Sequence, residues 1–293
     1  SIEFAKNNPV SLESGTSHKM QLVTGPANAT DHRIKWTSSN KTAATVDENG
    51  TVTALRPIET VTITAVYKTN PALTCSWNLK ITRTKGYITK QMLDNLDLTS
   101  IKKVMITAHP DDETLWGGGH LIEGEYLVVC MTHGWNPKRR TAFEQTMRTT
   151  NDKYLILDYP DVRKTFSNGK YETDMLSTCK NAMQEDINLI LSYKKWDLIA
   201  THNPFGEYGK FLHKTISQMV TQCYNKMTNK SATLYYFGRY YNSSNKIPGE
   251  QIAPELLAIK NSMVGRYYPT AKGAIDAFGH MIPYENWLLP SEW

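Results

Sequence analysis

The sequence of 293 residues lacks several features that would assign a broad functional class at once. It contains no run of eighteen apolar residues, which excludes a conventional membrane-spanning helix. Its basic residues are dispersed apart from one tight cluster at 138–140, and the formal net charge is only +5, which argues against nucleic-acid binding. The sequence begins at Ser1 without a signal-peptide pattern, a start that is compatible with the processed or trimmed secreted protein that we expect.

Cysteine is also scarce, and the four cysteines form no Cys-x-x-Cys pair, so their spacing does not decide the redox compartment. Cys130 ends an apolar run and is predicted to be a buried thiol. Cys179 and Cys223 both fall in helical patterns and could meet, but the sequence leaves open whether they form a disulfide.

What is present is the composition of a globular protein, with 21% charged and 40% hydrophobic residues. Because 293 residues exceed the usual size of one domain, we expect two domains, each large enough to bury a core. The predicted boundary divides the chain into residues 1–84 and 85–293.

The first region, up to residue 83, is rich in Thr, Ser, Val and Asn and contains short segments in which apolar and polar residues alternate. Such alternation, with turns about every eight to twelve residues, predicts a small antiparallel β-sandwich. The segment 47–50, Asp-Glu-Asn-Gly, predicts a hairpin whose Asn-Gly pair takes left-handed turn conformations.

Three short segments of this region, at 36–40, 44–47 and 50–54, have a spacing that resembles bacterial Ig-like domains of group 2. The resemblance implies a bacterial protein that acts outside the cell or at the cell surface, with an all-β Ig-like sandwich as a spacer or as a contact to cell-wall polymers. Trp36 and Trp77 could be platforms for sugar rings, but a small sandwich needs buried aromatic residues, and we predict that both pack in its core.

From residue 101 onward, strand-like and helix-like segments alternate. Strands are predicted at 104–107, 127–131, 154–157 and 196–200, and helices at 142–153, 173–194 and 211–227. This βαβ rhythm predicts an α/β domain whose mostly parallel sheet is covered by helices on both faces.

The segment 108–113, Ala-His-Pro-Asp-Asp-Glu, directly follows the first of these strands. In open α/β sheets, a buried strand that ends in a polar turn delivers its C-terminal end to a site. His109 and Asp112 are then close enough to bind one divalent metal ion, and a solvated acidic turn is the alternative. A histidine and three carboxylates so close together are costly to bury without a cation.

The same segment resembles the signature of the PIG-L/LmbE-like zinc deacetylases, which remove acetyl groups from N-acetylglucosamine-type amino sugars. For residues 85–293 the resemblance implies a Rossmann-like fold and one Zn2+ per chain, with another divalent ion as an alternative. It also implies a third metal ligand in the helix after a loop that contains glycine and tyrosine, a place that His213 occupies. The expected ligands are His109, Asp112 and His213, which leave an open position for water, as in catalytic zinc sites.

The resemblance also implies catalytic residues. Asp111 is expected to be the base that takes a proton from the activated water, and orienting a ligand histidine is its alternative role. Tyr208 is expected to polarise the acetamide carbonyl, with packing over the loop as the alternative. Many family members carry a histidine three residues before the helical ligand, where this chain has Lys210. Lysine can donate a hydrogen bond but is a poor proton shuttle, so Lys210 either replaces the acid with a cationic donor or marks weakened activity.

Four residues are predicted to bind substrate. Arg140 and Glu144 lie one turn apart in a helix that contacts the sugar in many family members, and a surface ion pair is the alternative. His133 follows the second strand and either lines the pocket or is a hydrogen-bonded loop residue. Asn203, with His202 beside it, follows a strand end and is expected at the rim of the site.

These features predict a zinc-dependent N-deacetylase that hydrolyses the acetamide of an N-acetylated amino sugar in a glycan, glycolipid or cell-wall component. Two alternatives stay open. One is a surface glycan-binding protein whose deacetylase-like domain has lost turnover, with Lys210 as the visible cause. The other is a metal-dependent amidase that acts on a non-sugar substrate.

Overall fold

The computed structural model describes residues 1–26, 33–161, 173–228 and 230–293. The chain forms two compact units: Ser1–Lys85 with Tyr159–Ala182, and Gly86–Asp158 with Met183–Trp293. The segment Tyr159–Ala182, which the predicted boundary assigns to residues 85–293, therefore groups with the first unit. Within the described ranges, no helix combines the length and the apolar character needed to cross a bilayer.

The strands of the first unit arise from its alternating segments, since alternation lets one face of each strand be buried. In chain order they are β1 (Ile2–Phe4), β2 (Ser11–Glu13), β3 (Ser17–Lys19), β4 (Leu22–Thr24), β5 (Ile34–Ser38), β6 (Ala44–Val46), β7 (Thr51–Ala54), β8 (Ile58–Tyr67) and β9 (Thr74–Thr82). One sheet has the order β2-β9-β8-β5, a second has the order β3-β7-β6, and β1 pairs with β4. The part Ser1–Lys85 of this unit is the predicted Ig-like all-β domain.

The core of this unit consists of alternate residues of the long strands, such as Val61 and Ile63 on β8 and Leu79 on β9, all at most 1% exposed. Trp36 and Trp77 pack against this core, as predicted, and the ring centroid of each lies 5.9 Å from that of Phe4.

The hairpin between β6 and β7 closes at Gly50, which has a φ of +79°. Oδ1 of Asp47 accepts hydrogen bonds from the N–H groups of Asn49 at 2.9 Å and Thr51 at 2.8 Å. Asn49 does not have a positive φ, so the expectation that both residues of the Asn-Gly pair are left-handed is wrong for Asn49.

The elements from residue 86 onward alternate as predicted. They are α1 (Lys90–Asn95), β10 (Lys103–Thr107), α2 (Asp112–Glu123), β11 (Tyr126–Thr132), α3 (Pro137–Thr150), β12 (Lys153–Tyr159), α4 (Thr173–Tyr193), β13 (Leu198–Thr201), α5 (Gly206–Gly209), α6 (Phe211–Lys226), β14 (Thr233–Tyr236) and α7 (Pro254–Phe278). The five strands form one sheet in the order β12-β11-β10-β13-β14.

This sheet is mostly parallel, because β10 pairs in parallel with β11 and β13, and β13 with β14. After β10 the chain forms β11 and β12 on one side of β10, and it then crosses to form β13 and β14 on the other side. The C-terminal end of β10 is therefore a topological switch point, where open α/β sheets bind their ligands.

Helices cover the sheet through an apolar core that joins Met105 of β10 and Val128 of β11 to Trp116 of α2, Phe143 of α3 and Tyr267 of α7. All five of these side chains are at most 4% exposed. The two-domain architecture, Ig-like followed by α/β, is thus confirmed.

All four cysteines are free thiols, so Cys179 and Cys223 are not bridged. Cys130 is fully buried in β11, as predicted, and burial raises the pKa of its thiol.

Candidate metal centre

The first part of the candidate site lies at the C-terminal end of β10. The chain turns sharply at His109, Pro110 and Asp111 before α2 begins at Asp112. Asp111 has a φ of 147°, a conformation that is uncommon for any residue other than glycine. The turn brings Nδ1 of His109 within 3.3 Å of Oδ2 of Asp112, whose acidic side chain suits the first turn of a helix.

The second part lies at the neighbouring strand end, where residues 202–210 connect β13 to α6. Gly206, Glu207 and Gly209 have φ values of 63°, 55° and 99°, so this connection reverses direction tightly. It places His213 in the first turn of α6, where the side chain is 1% exposed and its Nε2 atom is 3.4 Å from Oδ2 of Asp112.

The three predicted ligands therefore converge. Nδ1 of His109 and Nε2 of His213 are 3.1 Å apart, and Oδ2 of Asp112 lies 3.3 and 3.4 Å from them. Ligand atoms that bind zinc at about 2.0–2.1 Å with tetrahedral angles are separated by roughly 3.3 Å. The three atoms have the spacing of one face of such a tetrahedron, so these residues fit a zinc ion or a cation of similar size.

The pKa shifts of two of the donor residues, Asp112 and His213, favour the protonation states that bind a metal. Burial raises the pKa of Asp112, but the nearby rings of His213 and His202 outweigh it and hold the pKa well below its usual value. Burial lowers the pKa of His213, which favours the neutral imidazole that binds metals. The side chain of His109 is 14% exposed, so the site opens to solvent on that side.

Asp111 lies beside this set and is itself 4% exposed. Burial and the neighbouring charge of Asp112 raise the pKa of its carboxyl to about 7, while the Arg139 guanidinium opposes that rise. Nη1 of Arg139 is 3.9 Å from Oδ1 of Asp111, and this oxygen has no hydrogen-bond partner within the described ranges. This oxygen is therefore a buried acceptor to which no group of the described ranges donates a hydrogen bond.

The side chain of Glu113 stabilises the turn at Asp111 through hydrogen bonds. It accepts hydrogen bonds from the hydroxyl groups of Tyr267 at 2.6 Å and Thr114 at 2.7 Å, and from the N–H of Asp111 at 3.1 Å. Burial raises the pKa of Glu113 to about 7 despite these bonds. The strained conformation of Asp111 is thus tied to helix α7 through Tyr267.

His202 is fully buried behind the ligands, so the expectation that it lies at the rim is wrong. Its Nδ1 is 3.1 Å from Oε2 of Glu207, and its Nε2 accepts a hydrogen bond of 2.9 Å from the N–H of Ala108. Burial lowers the pKa of His202, whereas the charges of Glu207 and Asp112 raise it to about 9. A doubly protonated ring could not accept the Ala108 hydrogen bond, so the geometry describes a neutral ring.

Three other predicted residues surround the site. His133 is buried, with Nδ1 2.6 Å from Oγ1 of Thr132 and a ring centroid 5.6 Å from that of His109. Tyr208 is 39% exposed, and its ring lies 6.1 Å from the ring of His213. Lys210 is exposed, and its Nζ lies 5.4 Å from the centre of the Tyr208 ring.

The remaining predicted substrate residues make contacts within the protein. Arg140 is exposed and donates from Nε to the carbonyl of Gly134 at 2.5 Å, and Glu144 forms an ion pair with Arg148 at 3.7 Å. Asn203 is fully buried, so the rim position expected for it is wrong. Its side-chain amide donates to the carbonyls of residues 237 and 238 at 3.2 and 3.0 Å. The substrate contacts of these residues stay a prediction.

Sequence reasoning missed Arg139, Glu113, Glu207 and Tyr267. Arg139 is adjacent to Arg140, which is predicted from the sequence to bind substrate. Only the orientation of α3 decides which of these two arginines faces Asp111. Glu207 lies in the same loop as Tyr208. Its position in the sequence between His202 and His213 is the signal that could have identified it. Tyr267 carries no local signal, because it reaches the site from α7 across 154 positions of sequence.

Comparison with family models agrees with the Ig-like assignment of the N-terminal strands. The model of the bacterial Ig-like domain (group 2) matches residues 1–76. Uncharacterized protein L374 of Acanthamoeba polyphaga mimivirus is 31% identical over 175 residues, which cover 54% of this chain and 67% of L374. Uncharacterized protein CA_P0160 of Clostridium acetobutylicum is 32% identical over 115 residues, which cover 39% of this chain and 12% of that protein.

Among solved structures, the conserved protein TT1542 from Thermus thermophilus aligns with 66% of this chain and 96% of its own, with 12% identity and a TM-score of 0.44. The likeness to L374 covers enough of both proteins to establish kinship. The chain carries a bacterial Ig-like domain of group 2 at its N-terminal end and belongs to the same family as the mimivirus protein L374.

Proposed function

We propose that this protein is a metal-dependent N-deacetylase that hydrolyses the acetamide of an N-acetylated amino sugar in a glycan, glycolipid or cell-wall component. One observation carries the proposal: the donor atoms of His109, Asp112 and His213 lie 3.1–3.4 Å from one another beside the buried carboxyl group of Asp111. Two imidazoles and one carboxylate are a donor set of catalytic zinc sites, which keep a further position for water or substrate.

A bound divalent cation would polarise the acetamide carbonyl and lower the pKa of the attacking water. Asp111 is suited to accept the proton of that water, because its pKa of about 7 lies near the optimum for a general base. Arg139, 3.9 Å from Oδ1, favours the ionised form that this role requires. The C–N bond of the acetamide breaks as a C–O bond forms, and the proton held by Asp111 passes to the leaving nitrogen.

We propose that three residues near the metal ligands contact the reacting group. The hydroxyl of Tyr208 and the ammonium of Lys210 are donors on the α6 side, where a carbonyl oxygen that gains negative charge needs them. His133 lies on the β11 side, next to His109.

The setting that we propose is outside the cell or at the cell surface of a bacterium. The Ig-like match at residues 1–76 supports it, since a separate β-sandwich is suited to hold an enzyme near wall polymers. N-acetylated amino sugars are components of such polymers, and the amine released by deacetylation would add positive charge to them.

Acetate release tests the proposal. We expect the purified chain with zinc to release acetate from chitooligosaccharides, and Asp111→Asn to lower the rate at least about a hundredfold, the usual contribution of a general base. The zinc content should stay near one equivalent in the variant. Asp276→Asn, which changes an exposed carboxylate in α7, is the matched control and should keep the wild-type rate. Full activity in Asp111→Asn would show that the base is wrongly assigned.

A second candidate function is glycan binding with little or no turnover, and the exposed position of Lys210 favours it. In place of a proton-donating histidine, the chain offers an ammonium group that lies over the ring of Tyr208. Binding of chitooligosaccharides without acetate release would support this candidate, and Lys210→His should then restore measurable turnover.

A further inference from the structure

A second cluster of metal-binding residue types lies directly behind the candidate metal centre. His202, Glu207 and His213 are all buried, and one donor atom from each could meet at a common point. His213 belongs to both clusters, since Nε2 faces Asp112 and Nδ1 faces Glu207 at 2.5 Å. Two imidazoles and a carboxylate could bind a cation here too. The directions of the hydrogen bonds distinguish a second cation site from a hydrogen-bonded network.

The directions of these hydrogen bonds follow from the backbone at Ala108, directly after β10. The N–H of Ala108 can only donate, so Nε2 of His202 is an acceptor at 2.9 Å and the ring proton of His202 must lie on Nδ1. That proton points at Oε2 of Glu207, 3.1 Å away. The position that a cation would need between His202 and Glu207 is thus taken by a hydrogen, and the cluster is a hydrogen-bonded network.

The same carboxylate oxygen meets the other ring. Oε2 of Glu207 lies 2.5 Å from Nδ1 of His213, and a carboxylate can only accept, so this nitrogen is the donor. The ring of His213 then keeps its lone pair on Nε2, the atom that faces Asp112 and His109. A neutral histidine binds a metal through such a lone pair, and the hydrogen bond at its other nitrogen decides which atom offers it.

The loop holds Glu207 firmly in this orientation. Glu207 has a φ of 55°, and its N–H donates to Oδ1 of Asn203 at 3.0 Å. The N–H of Asn203 in turn donates to Oε1 of Glu207 at 3.0 Å. The Asn203 amide is anchored to the backbone carbonyls after β14. The conformation is unusual for a residue with a side chain, and the Asn203 contacts maintain it.

From these contacts we infer that Glu207 is a positioning residue of the metal centre: it fixes the ring proton of His213 on Nδ1, so that Nε2 is presented to the cation, and it holds His202 in the same tautomer. The cluster behind the centre is therefore not a second cation site. This inference rests on the proposed function only in so far as it assigns a cation to His109, Asp112 and His213.

The tautomers can be read directly in the full chain without a metal. Long-range 1H–15N correlation spectra of the 15N-labelled, zinc-free protein distinguish a protonated Nδ1 from a protonated Nε2, and His213→Asn and His202→Asn identify the two rings. We expect both rings to carry the proton on Nδ1. A proton on Nε2 of His213 in the wild-type protein would overturn the inference, whether or not any variant folds.

The matched variants are Glu207→Gln and Glu255→Gln, the second at an exposed position in the first turn of α7. We expect Glu207→Gln to populate the Nε2–H tautomer of His213 and to weaken zinc binding about 10- to 100-fold in competition with a chelator. Glu255→Gln should change neither quantity. An unchanged tautomer and unchanged zinc affinity in a folded Glu207→Gln protein would contradict the inference.

The experiments distinguish a failure of the proposed deacetylase function from a failure of the role inferred for Glu207. If His213 changes its tautomer in Glu207→Gln, and the wild-type chain binds zinc but releases no acetate, the role of Glu207 is supported and the proposed deacetylase is rejected. If the wild-type chain binds zinc and releases acetate while His213 carries its proton on Nε2, the deacetylase is supported and the role of Glu207 is rejected.

Discussion

Glu285 illustrates at the scale of single residues how a buried charge is retained. Its carboxylate accepts hydrogen bonds from Nζ of Lys260 and Nδ1 of His120, both at 2.6 Å, and from the N–H of Gly119 at 2.6 Å. Burial raises the pKa of Glu285, but the Lys260 charge and these hydrogen bonds outweigh it and hold the pKa at about 2. The ion pair with Lys260 ties the C-terminal segment to α7, and the hydrogen bonds from Gly119 and His120 tie it to α2.

This arrangement predicts a loss of stability in acid. The pKa is about 2 in the folded protein and near its ordinary value of 4.5 in the unfolded chain. The ionised carboxylate therefore stabilises the fold above about pH 4.5, and this contribution is lost as the pH falls toward about 2. Urea unfolding of the second unit from about pH 4.5 to about pH 2, measured for the wild type and for Glu285→Gln, should show the decline as a difference between the two proteins.

Glu285→Gln should remove most of that pH dependence and cost about 3–5 kcal/mol near neutral pH, because the buried Lys260 charge is left without its partner. The control Glu250→Gln alters an exposed carboxylate and should change stability by less than about 0.5 kcal/mol. Equal unfolding free energies for Glu285→Gln and wild type would mean that the pair contributes nothing.

Among the secondary-structure elements, helix α7 contains an interruption near Pro269 that contributes to the candidate site. Pro269 lies inside the helix and Ala271 departs from helical geometry, so the regular i to i−4 bonding is interrupted. Nη2 of Arg139 donates to the carbonyl of Thr270 at 3.1 Å, while Nη1 lies 3.9 Å from Oδ1 of Asp111. The interrupted helix therefore orients an arginine of α3 toward the proposed base.

Arg139→Met should lower acetate release at least about tenfold, which corresponds to roughly 1.4 kcal/mol, because the charge that favours ionised Asp111 is removed. Arg140→Met is the comparison, since Arg140 is exposed and bonds to the carbonyl of Gly134. We expect the smaller loss from Arg140→Met in initial-rate measurements. The reverse order would favour the substrate contact that the sequence suggests for Arg140.

The turn between β6 and β7 gives a prediction for the first unit. Gly50 has a φ of +79°, and a Cβ at this position would lie 2.5 Å from the Trp36 ring. Gly50→Ala should therefore destabilise the Ig-like unit by more than about 1 kcal/mol, from backbone strain and displacement of the ring. The measurement is the protection of β5 to β8 amides against hydrogen exchange.

Gly273→Ala is the matched control for that measurement. Gly273 lies in α7, and a Cβ there would have no neighbour within 4 Å. The substitution should leave the protection of the Ig-like unit unchanged and stabilise α7 by up to about 1 kcal/mol. Unchanged protection in Gly50→Ala would refute the strain argument.

For the whole molecule, the distribution of ligands predicts which unit responds to metal. His109, Asp112 and His213 all belong to the unit of Gly86–Asp158 and Met183–Trp293. Zinc at a hundred times its dissociation constant should stabilise that unit by about 2.7 kcal/mol, by mass action. Hydrogen exchange should slow around β10, α2 and α6 and stay unchanged in β1 to β9. Asp112→Asn should abolish the difference, and added protection of the Ig-like strands would contradict the assignment.

The sequence by itself determined the elements and the first part of the site. Period-two alternation in residues 2–83 and the βαβ rhythm after residue 101 are local properties, so they fixed the two architectures without reference to contacts. The segment 108–113 was recognisable for the same reason, since its histidine and carboxylates are neighbours in sequence and follow a buried strand.

Only the tertiary structure decided which side chains meet. Glu113 reaches Tyr267, Arg139 rather than Arg140 faces Asp111, and Glu207 bridges two histidines behind the ligands. Such contacts depend on the rotation of a helix about its axis and on a loop conformation with positive φ. Neither quantity is encoded in a local pattern, because both result from the packing of elements that are distant along the chain.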